Sequence, residues 1–379
     1  MEEVIRVLQE LVAIPSVNPE MRPKFGAENA EAKVADYVEN YMQTAGIDTE
    51  RQEVYSKRDN VLVSVEGTNK GTTLLLEAHM DTVPGDTMTI EPFSPDIKDG
   101  KLFGRGSCDT KGSLAAMMVA VKESIKHGLP PINIMLAATI DEEVNYGGAG
   151  KLVDSGFQAD FGIVGEPTDL DVVTAHKGTT RFWIRTPGIT AHSSNPDEGK
   201  NAVYRMCKVI KHIERYHREI LPNITHPLVG SATMSVGIIA GGQAANIVPD
   251  QCEIMVDRRT LPAEDPSTAW KQVQEYLSNQ DDIDFELTFP ETKHLDFGME
   301  VPTDHEIVNR LMEATTKVLG RANSKGVAYG TDASKFTPSG TPCVVFGPGS
   351  ILQAHAPVEF IETDQLCAAQ HIITQVIEG

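Results

Sequence analysis

Basic residues are scarce in this 379-residue chain: 33 Lys and Arg stand against 54 Asp and Glu, a formal net charge of -21. Such a chain repels phosphate backbones and anionic membrane surfaces, so neither nucleic acid nor a membrane is an expected partner. The first use of so much negative charge is solubility. Cysteine is also sparse: Cys108, Cys207, Cys252, Cys343 and Cys367 are irregularly spaced and form no CxxC pair. That pattern excludes a disulfide framework and a zinc ribbon, and fits buried thiols in a reducing compartment. No run approaches the ~20 apolar residues of a membrane helix. The opening segment MEEVIRVLQELVAIPS lacks the basic start and long apolar stretch of a secretory leader. A cytoplasmic protein is expected.

What is present is an ordinary globular composition, with 40% hydrophobic residues, and a length that suggests about two domains. Val4, Ile5, Leu8, Leu11 and Val12 fall on one helical face. A second helix is predicted from Asn29 to Thr44, ending at Gly46. Apolar runs then alternate with helical patterns: NVLVSVEG, TTLLLEAHM, the helix SLAAMMVAVKESIKHG, INIMLAAT and FGIVGEP. This order predicts an α/β layer with a mostly parallel central sheet. After Lys177 the pattern changes to TTRFWIRTPG, a long helix from Asp197 to Ile220, SATMSVGIIAGG, DQCEIMVDRRT, a helix PSTAWKQVQEYLSN and a strand DFELTFP. That β-α-β-β-α-β order predicts an inserted ferredoxin-like α+β domain over 179–290. The first domain, 1–178, resumes over 291–379 with HEIVNRLMEATTKVLG, TPCVVFG and TDQLCAAQHIITQVIE.

Ligands of such sheets bind beyond the carboxyl ends of the strands. His79, Glu142, Glu143 and Glu166 all follow predicted apolar strands. In EAHMDTVP, His79 and Asp81 share a strand face, and a metal-binding imidazole usually gives its other N–H to a carboxylate. Asp109 lies in the glycine-rich turn GRGSCDTKG, where it could equally cap the following helix. Arg105 and Lys111 beside it read as solvated or paired charges. Glu142 and Glu143, preceded by Asp141, point apart on an extended segment, so one can bind a metal while the other faces a water. His355 follows strand TPCVVFG in QAHAPVEF. Singly these signals are modest. Together they describe an oxygen and imidazole ligand set for zinc, cobalt or manganese. A two-metal site needs a bridging carboxylate.

HMDTVP, GRGSCDTKG, DEE, GEPT, GITAHSS and QAHAP occur here in that order. In this, essentially the whole chain resembles the metal-dependent deacylase family of acetylornithine deacetylase, succinyl-diaminopimelate desuccinylase, aminoacylase and glutamate carboxypeptidase. VGEPTDLDVVTAHKG, AHSSNPDEGKNAV and FGPGSILQAHAPVEF are most similar to the acetylornithine deacetylase branch. The resemblance implies a zinc-peptidase-like catalytic domain and a dimerisation insert. It implies two divalent ions, zinc first and cobalt or manganese as alternatives. His79 and Glu166 would hold one, Glu143 and His355 the other, and Asp109 both. Asp81 would orient His79, and a non-proline cis peptide would follow Asp109. Glu142 would be the general base for a metal-bound hydroxide that attacks an amide carbonyl. His192 would reach the partner's site in a homodimer and stabilise the oxyanion. Asn246 would fix substrate or oxyanion, and Arg259 would grip a substrate carboxylate through its planar fork. Arg258 would be structural.

The expected reaction is deacylation of a small N-acyl amino acid, N-acetylornithine first or a relative such as N-succinyl-diaminopimelate. A di- or tripeptidase of the same superfamily is the alternative, and a non-catalytic metal-binding homologue is an alternative of another class. Asp332 is placed near the acyl or side-chain pocket. Its setting, Thr331-Asp332-Ala333, is intermediate between the Thr-Glu-Ala of deacetylases and the Ser-Asp-Gly of desuccinylases.

Overall fold

The computed structural model describes residues 2–21, 31–290 and 294–379, with His294 described by its backbone alone. The chain divides into two compact units. The first comprises 1–174, 301–325 and 331–379, and the second comprises 175–300 and 326–330. In chain order, the strands that matter for the site and the second unit are β1 (Asp48–Tyr55), β2 (Arg58–Val65), β3 (Asn69–His79), β4 (Ile132–Thr139), β5 (Phe161–Val164), β6 (Val172–His176), β7 (Gly178–Pro187), β8 (Thr233–Gly241), β9 (Gln251–Thr260), β10 (His294–Asp296) and β11 (Cys343–Val345).

The first unit is built on a mixed sheet with strand order β1-β2-β4-β3-β5-β11-β6. The expected parallel sheet is its centre, where β4, β3, β5 and β11 run parallel. The flanks, β1-β2-β4 on one side and β11-β6 on the other, are antiparallel. The central strands are near-continuous apolar runs because helices cover both faces of such a sheet: Leu74, Leu75, Leu76, Leu136, Ile163 and Val344 are all fully buried. The expected helix after Asp109 runs Lys111–Ser124, and its residues 111–121 are buried all round. It packs against helices Glu3–Val12 and Thr363–Glu378. The predicted second helix begins at Ala32 within the described residues; Asn29 and Ala30 lie outside them. No helix among the described residues is long and apolar enough to cross a membrane.

Register carries these strands to the site. His79 pairs with Thr139, Glu77 with Val164 and Val345 with Val164. The carboxyl ends of β3, β4, β5 and β11 therefore lie along one edge, and the segments that leave them carry His79, Glu142, Glu143, Glu166 and His355.

The second unit is an antiparallel sheet ordered β8-β9-β7-β10, with helices Ala202–Arg215 and Pro266–Ser278 supplying its core. Strand order and helix placement are those of a ferredoxin-like layer. Set beside the expected range 179–290, this unit extends to Ala175 and Glu300. The predicted last strand, DFELTFP, is corrected. Only Thr288 pairs there, with Arg185 of β7, and the edge ladder is made instead by Leu295 and Asp296 with Thr180 and Thr179. Pro290 has no N–H to continue the earlier pairing. The long predicted helix starts only at Ala202, where the Asn201 side chain caps the N–H groups of Val203 and Tyr204.

His176 is fully buried and gives its Nδ1 proton to the carbonyl of Lys177 at 3.0 Å. Burial pushes its pKa down to about 4. The unfolded chain binds this proton near pH 6.5 and the folded one does not. The neutral ring's stabilisation is therefore complete above pH 6.5 and is lost as the pH falls from 6.5 towards 4. Its upper bound is about 3 kcal/mol. Thermal melts of wild type and His176→Gln across that range should converge as the pH falls; parallel pH profiles would refute the assignment.

Candidate metal centre

Six side chains of the first unit converge at the shared strand edge. Asp109 lies at the middle of the arrangement. Its Oδ1 is 3.2 Å from His79 Nε2, and its Oδ2 is 3.4 Å from His355 Nε2. On the first side, Glu166 Oε1 lies 3.8 Å and Glu142 Oε2 3.9 Å from His79 Nε2. On the second, Glu143 Oε2 lies 3.1 Å from His355 Nε2. Two sets, His79-Glu142-Glu166 and His79-Asp109-Glu143, each bring one donor atom per residue within 4.8 Å of one another. His79, Asp109 and Glu166 are buried. The Asp109–Thr110 peptide is cis.

The electrostatics of this cluster ask for cations. Burial, and behind it the charge of Glu166, pushes Glu142 well above the ordinary carboxyl range. Burial and the charge of Asp109 do the same to Glu166, and Glu143 is pushed up to about 6 by burial and Asp109. Against the downward pull of burial, hydrogen bonds to Asp109 and Asp81 hold His79 well above its usual value. Buried like charges cannot all ionise unless positive charge lies among them, and a bound cation reverses this balance. Carboxylate oxygens and imidazole nitrogens are donors suited to zinc, manganese or cobalt. By geometry alone Glu142 stands with the donor groups, beside His79 and Glu166.

Asp81 meets the Nδ1 edge of the His79 ring through both its carbonyl and its carboxylate. His79 Nδ1 donates to the Asp81 backbone carbonyl at 3.0 Å, and the Asp81 carboxylate is farther away at 3.4 Å. Nε2 is thereby left as the donor atom facing Asp109. The Asp81 carboxylate also accepts the backbone N–H groups of Glu142 at 3.1 Å and Glu143 at 3.2 Å. It sets the turn that presents both glutamates.

Of the charges expected to be solvated or paired, Arg105 takes the paired form and is 1% exposed, and Lys111 is buried at 0%. Lys111 donates to the carbonyls of Leu11 and Ile14. Arg105 Nη1 lies 2.6 Å from Glu359 Oε2, and its Nη2 donates to the Pro84 carbonyl. Glu359 Oε1 accepts the N–H groups of both Cys108 and Asp109, so this pair holds the Asp109 turn from behind. Sequence reasoning missed Glu359. Its one signal was position, four residues after His355 in a segment already singled out.

Asp332 is buried, at 1% exposed, and its charge acts on Glu142 of the cluster. Burial and the charge of Glu77 push the Asp332 carboxyl well above the ordinary range, and the Thr139 hydroxyl, which donates to Glu77 at 2.5 Å, also lies 3.4 Å from Asp332 Oδ2. The pair lies behind the ligand cluster, because Glu77 is two residues before His79 and shares its strand face.

The remaining expected site residues lie in the second unit. His192 is in an exposed loop bridged to Ile247, and the carbonyl of Asn246 accepts the N–H of Ser193. His192 Nδ1 accepts from the Ser194 N–H at 3.1 Å, which leaves the ring proton on Nε2 as a donor. Asn246 is exposed. Arg259 is half-buried on β9 with its Nε 2.8 Å from Asp257. Arg258 is buried against Glu264.

Comparison with known proteins places this geometry in context. The sequence profile of peptidase family M20/M25/M40 matches residues 75–379. An acetylornithine deacetylase of Proteus mirabilis (strain HI4320) is 33% identical over 394 residues, covering 99% of this chain and 96% of the relative. One of Myxococcus xanthus is 31% identical over 384 residues, covering 98% and 95%. Among solved structures, an M20 family metallo-carboxypeptidase of Sulfolobus solfataricus superposes with a TM-score of 0.81 at 20% identity, covering 100% of this chain and 99% of that one. That last likeness concerns the fold.

Proposed function

This chain belongs to peptidase family M20/M25/M40 and is a metal-dependent hydrolase, and from that premise we propose that it removes the acyl group of an N-acyl amino acid, N-acetylornithine first among them. The observation that carries the reaction class is Asp109, whose two oxygens face His79 on one side and His355 on the other. A carboxylate so placed suits a pair of divalent ions. The substrate rests on the two deacetylase relatives, similar along nearly their whole length.

In this reading His79 and Glu166 would hold one ion, Glu143 and His355 the other, and Asp109 would serve both, with zinc expected and cobalt or manganese able to replace it. The bound ions would polarise the amide carbonyl and acidify the attacking water. Glu142 takes the proton of that water and returns it to the leaving amine. Asp81 keeps His79 Nε2 presented and the Glu142–Glu143 turn in place. Arg259 binds the substrate carboxylate, Asn246 fixes the substrate or its oxyanion, and the Nε2–H of His192 is given to the oxyanion.

His192 acts, in this proposal, from a second copy of the chain. Support comes from the second unit: β8 is an edge strand, and Ile238, Ile239 and Tyr204 are 52%, 55% and 73% exposed. An unpaired, apolar edge of this kind is a template for another chain. A cytoplasmic location belongs to the same proposal and is consistent with five free cysteines.

Peptide hydrolysis is the second reading, favoured by the likeness to the Sulfolobus carboxypeptidase fold. One panel decides. The chain loaded with zinc, cobalt or manganese is assayed on N-acetylornithine, N-succinyl-diaminopimelate, other N-acyl amino acids and dipeptides, and its size in solution is measured alongside. Deacylation by a dimer is expected. Cleavage of dipeptides alone would replace the deacetylase reading, a monomer with full activity would remove His192 from the chemistry, and a metal-free inert protein would favour a binding role.

A further inference from the structure

Asn18 lies outside every motif discussed above, yet it is fully buried beneath the ligand cluster. Its single Nδ2 is 2.8 Å from Asp81 Oδ2 and 2.8 Å from Asp141 Oδ1. Both partners are carboxylates, which only accept, so the amide must turn its nitrogen towards them. The two amide hydrogens are thus divided between two buried acids. Asn18 is itself held firmly: its Oδ1 accepts the N–H of Glu20 at 3.0 Å, and its own N–H donates to the Thr82 carbonyl at 2.9 Å.

Each acid belongs to a different segment of the centre. Asp81 follows β3 and accepts the N–H groups of Glu142 and Glu143. Asp141 immediately precedes those glutamates in the left-handed region, at φ 65°. Asp141 also accepts from Tyr55 at 2.9 Å and Asn145 at 3.1 Å, and lies 3.5 Å from Arg58. Asn18 is a neutral bridge between the segment that carries His79 and the turn that carries Glu142 and Glu143. Without it, two carboxylates that share one nitrogen would face each other directly, and buried like charges repel.

We infer that Asn18 is a positioning residue: by joining Asp81 to Asp141 it fixes the Glu142–Glu143 turn against His79. The inference rests on the roles given above to Glu142 and Glu143. A turn displaced by about 1 Å can cost about 100-fold in rate, and outer partners of metal ligands typically contribute about 10–100-fold in metal affinity or activity.

The test uses the full-length chain, with zinc affinity measured by chelator competition and kcat and KM on N-acetylornithine. Asn18→Ala should lower zinc affinity and kcat by about 10–100-fold each, with KM little changed. Asn18→Asp is isosteric but adds a third carboxylate, and should fall further. If Asn18→Asp fails to fold, Asn18→Ser, which keeps one donor hydrogen, should fall between wild type and Asn18→Ala. Wild-type zinc affinity and kcat in Asn18→Ala, with only the melting temperature lowered, would overturn the inference. A wild type that hydrolyses nothing, with zinc affinity still weakened in Asn18→Ala, would sink the proposed reaction and support the positioning role.

Discussion

Glu142→Gln is expected to lower kcat by about 10²–10⁴-fold, the usual share of a positioned general base, while the chain keeps both ions. Gln has nearly the shape of Glu but cannot take a proton. The residual rate should also lose the acidic limb of its pH profile, because that limb reports the base. The rival role is specific: Glu142 Oε2 lies 3.9 Å from His79 Nε2, within one of the two possible donor sets. Metal analysis separates the two. If Glu142→Gln loses an ion, Glu142 is a ligand and the base must be sought elsewhere. Glu143→Gln serves as the contrast, since its partner is His355 at 3.1 Å, and it is expected to lose metal.

The second large effect concerns a pair that touches no donor atom directly. Glu359 is 0% and Arg105 1% exposed, and they meet at 2.6 Å. Glu359→Ala would strand the Arg105 charge in the interior, which costs about 3–5 kcal/mol. It would also free the N–H groups of Cys108 and Asp109, each worth about 1–3 kcal/mol when left unpaired. Denaturant unfolding should therefore register at least about 3 kcal/mol of lost stability. Activity should fall with it, because the turn bearing Asp109 loses its support. Glu359→Gln keeps an acceptor for the two N–H groups and should lie between. Adding Arg105→Met to Glu359→Ala removes the stranded charge and should restore part of the loss. A single-variant loss below about 1 kcal/mol would place this pair among weak surface bridges and refute the burial argument.

These two residues also mark the boundary of what was legible. Glu142 was visible because an apolar strand, INIMLAAT, delivers it to a sheet edge, and strand ends are local features. Glu359 was not visible, because its partner Arg105 lies 254 positions away in sequence and nothing local indicates which buried acid a buried arginine meets. Strand β1 was missed for a related reason. DTERQEVY carries four charged residues in eight and forms an edge strand with no fully buried residue, so no apolar run announces it. Nothing local in the motif around Asp332 indicates that the charge acting on it is that of Glu77, 255 residues earlier in the chain.

The donor types, the apolar strands that end in them and the alternation that makes an α/β layer are each written within a few consecutive residues and can be read from the chain alone. The facing of Asp109 to both histidines, the hold of Asp81 on the glutamate turn and the contacts of Asn18, Arg105 and Glu359 behind the centre emerge only on folding. Those assignments depend on distances between segments up to 254 positions apart, and such distances are set by strand register and by the pairing of buried charge.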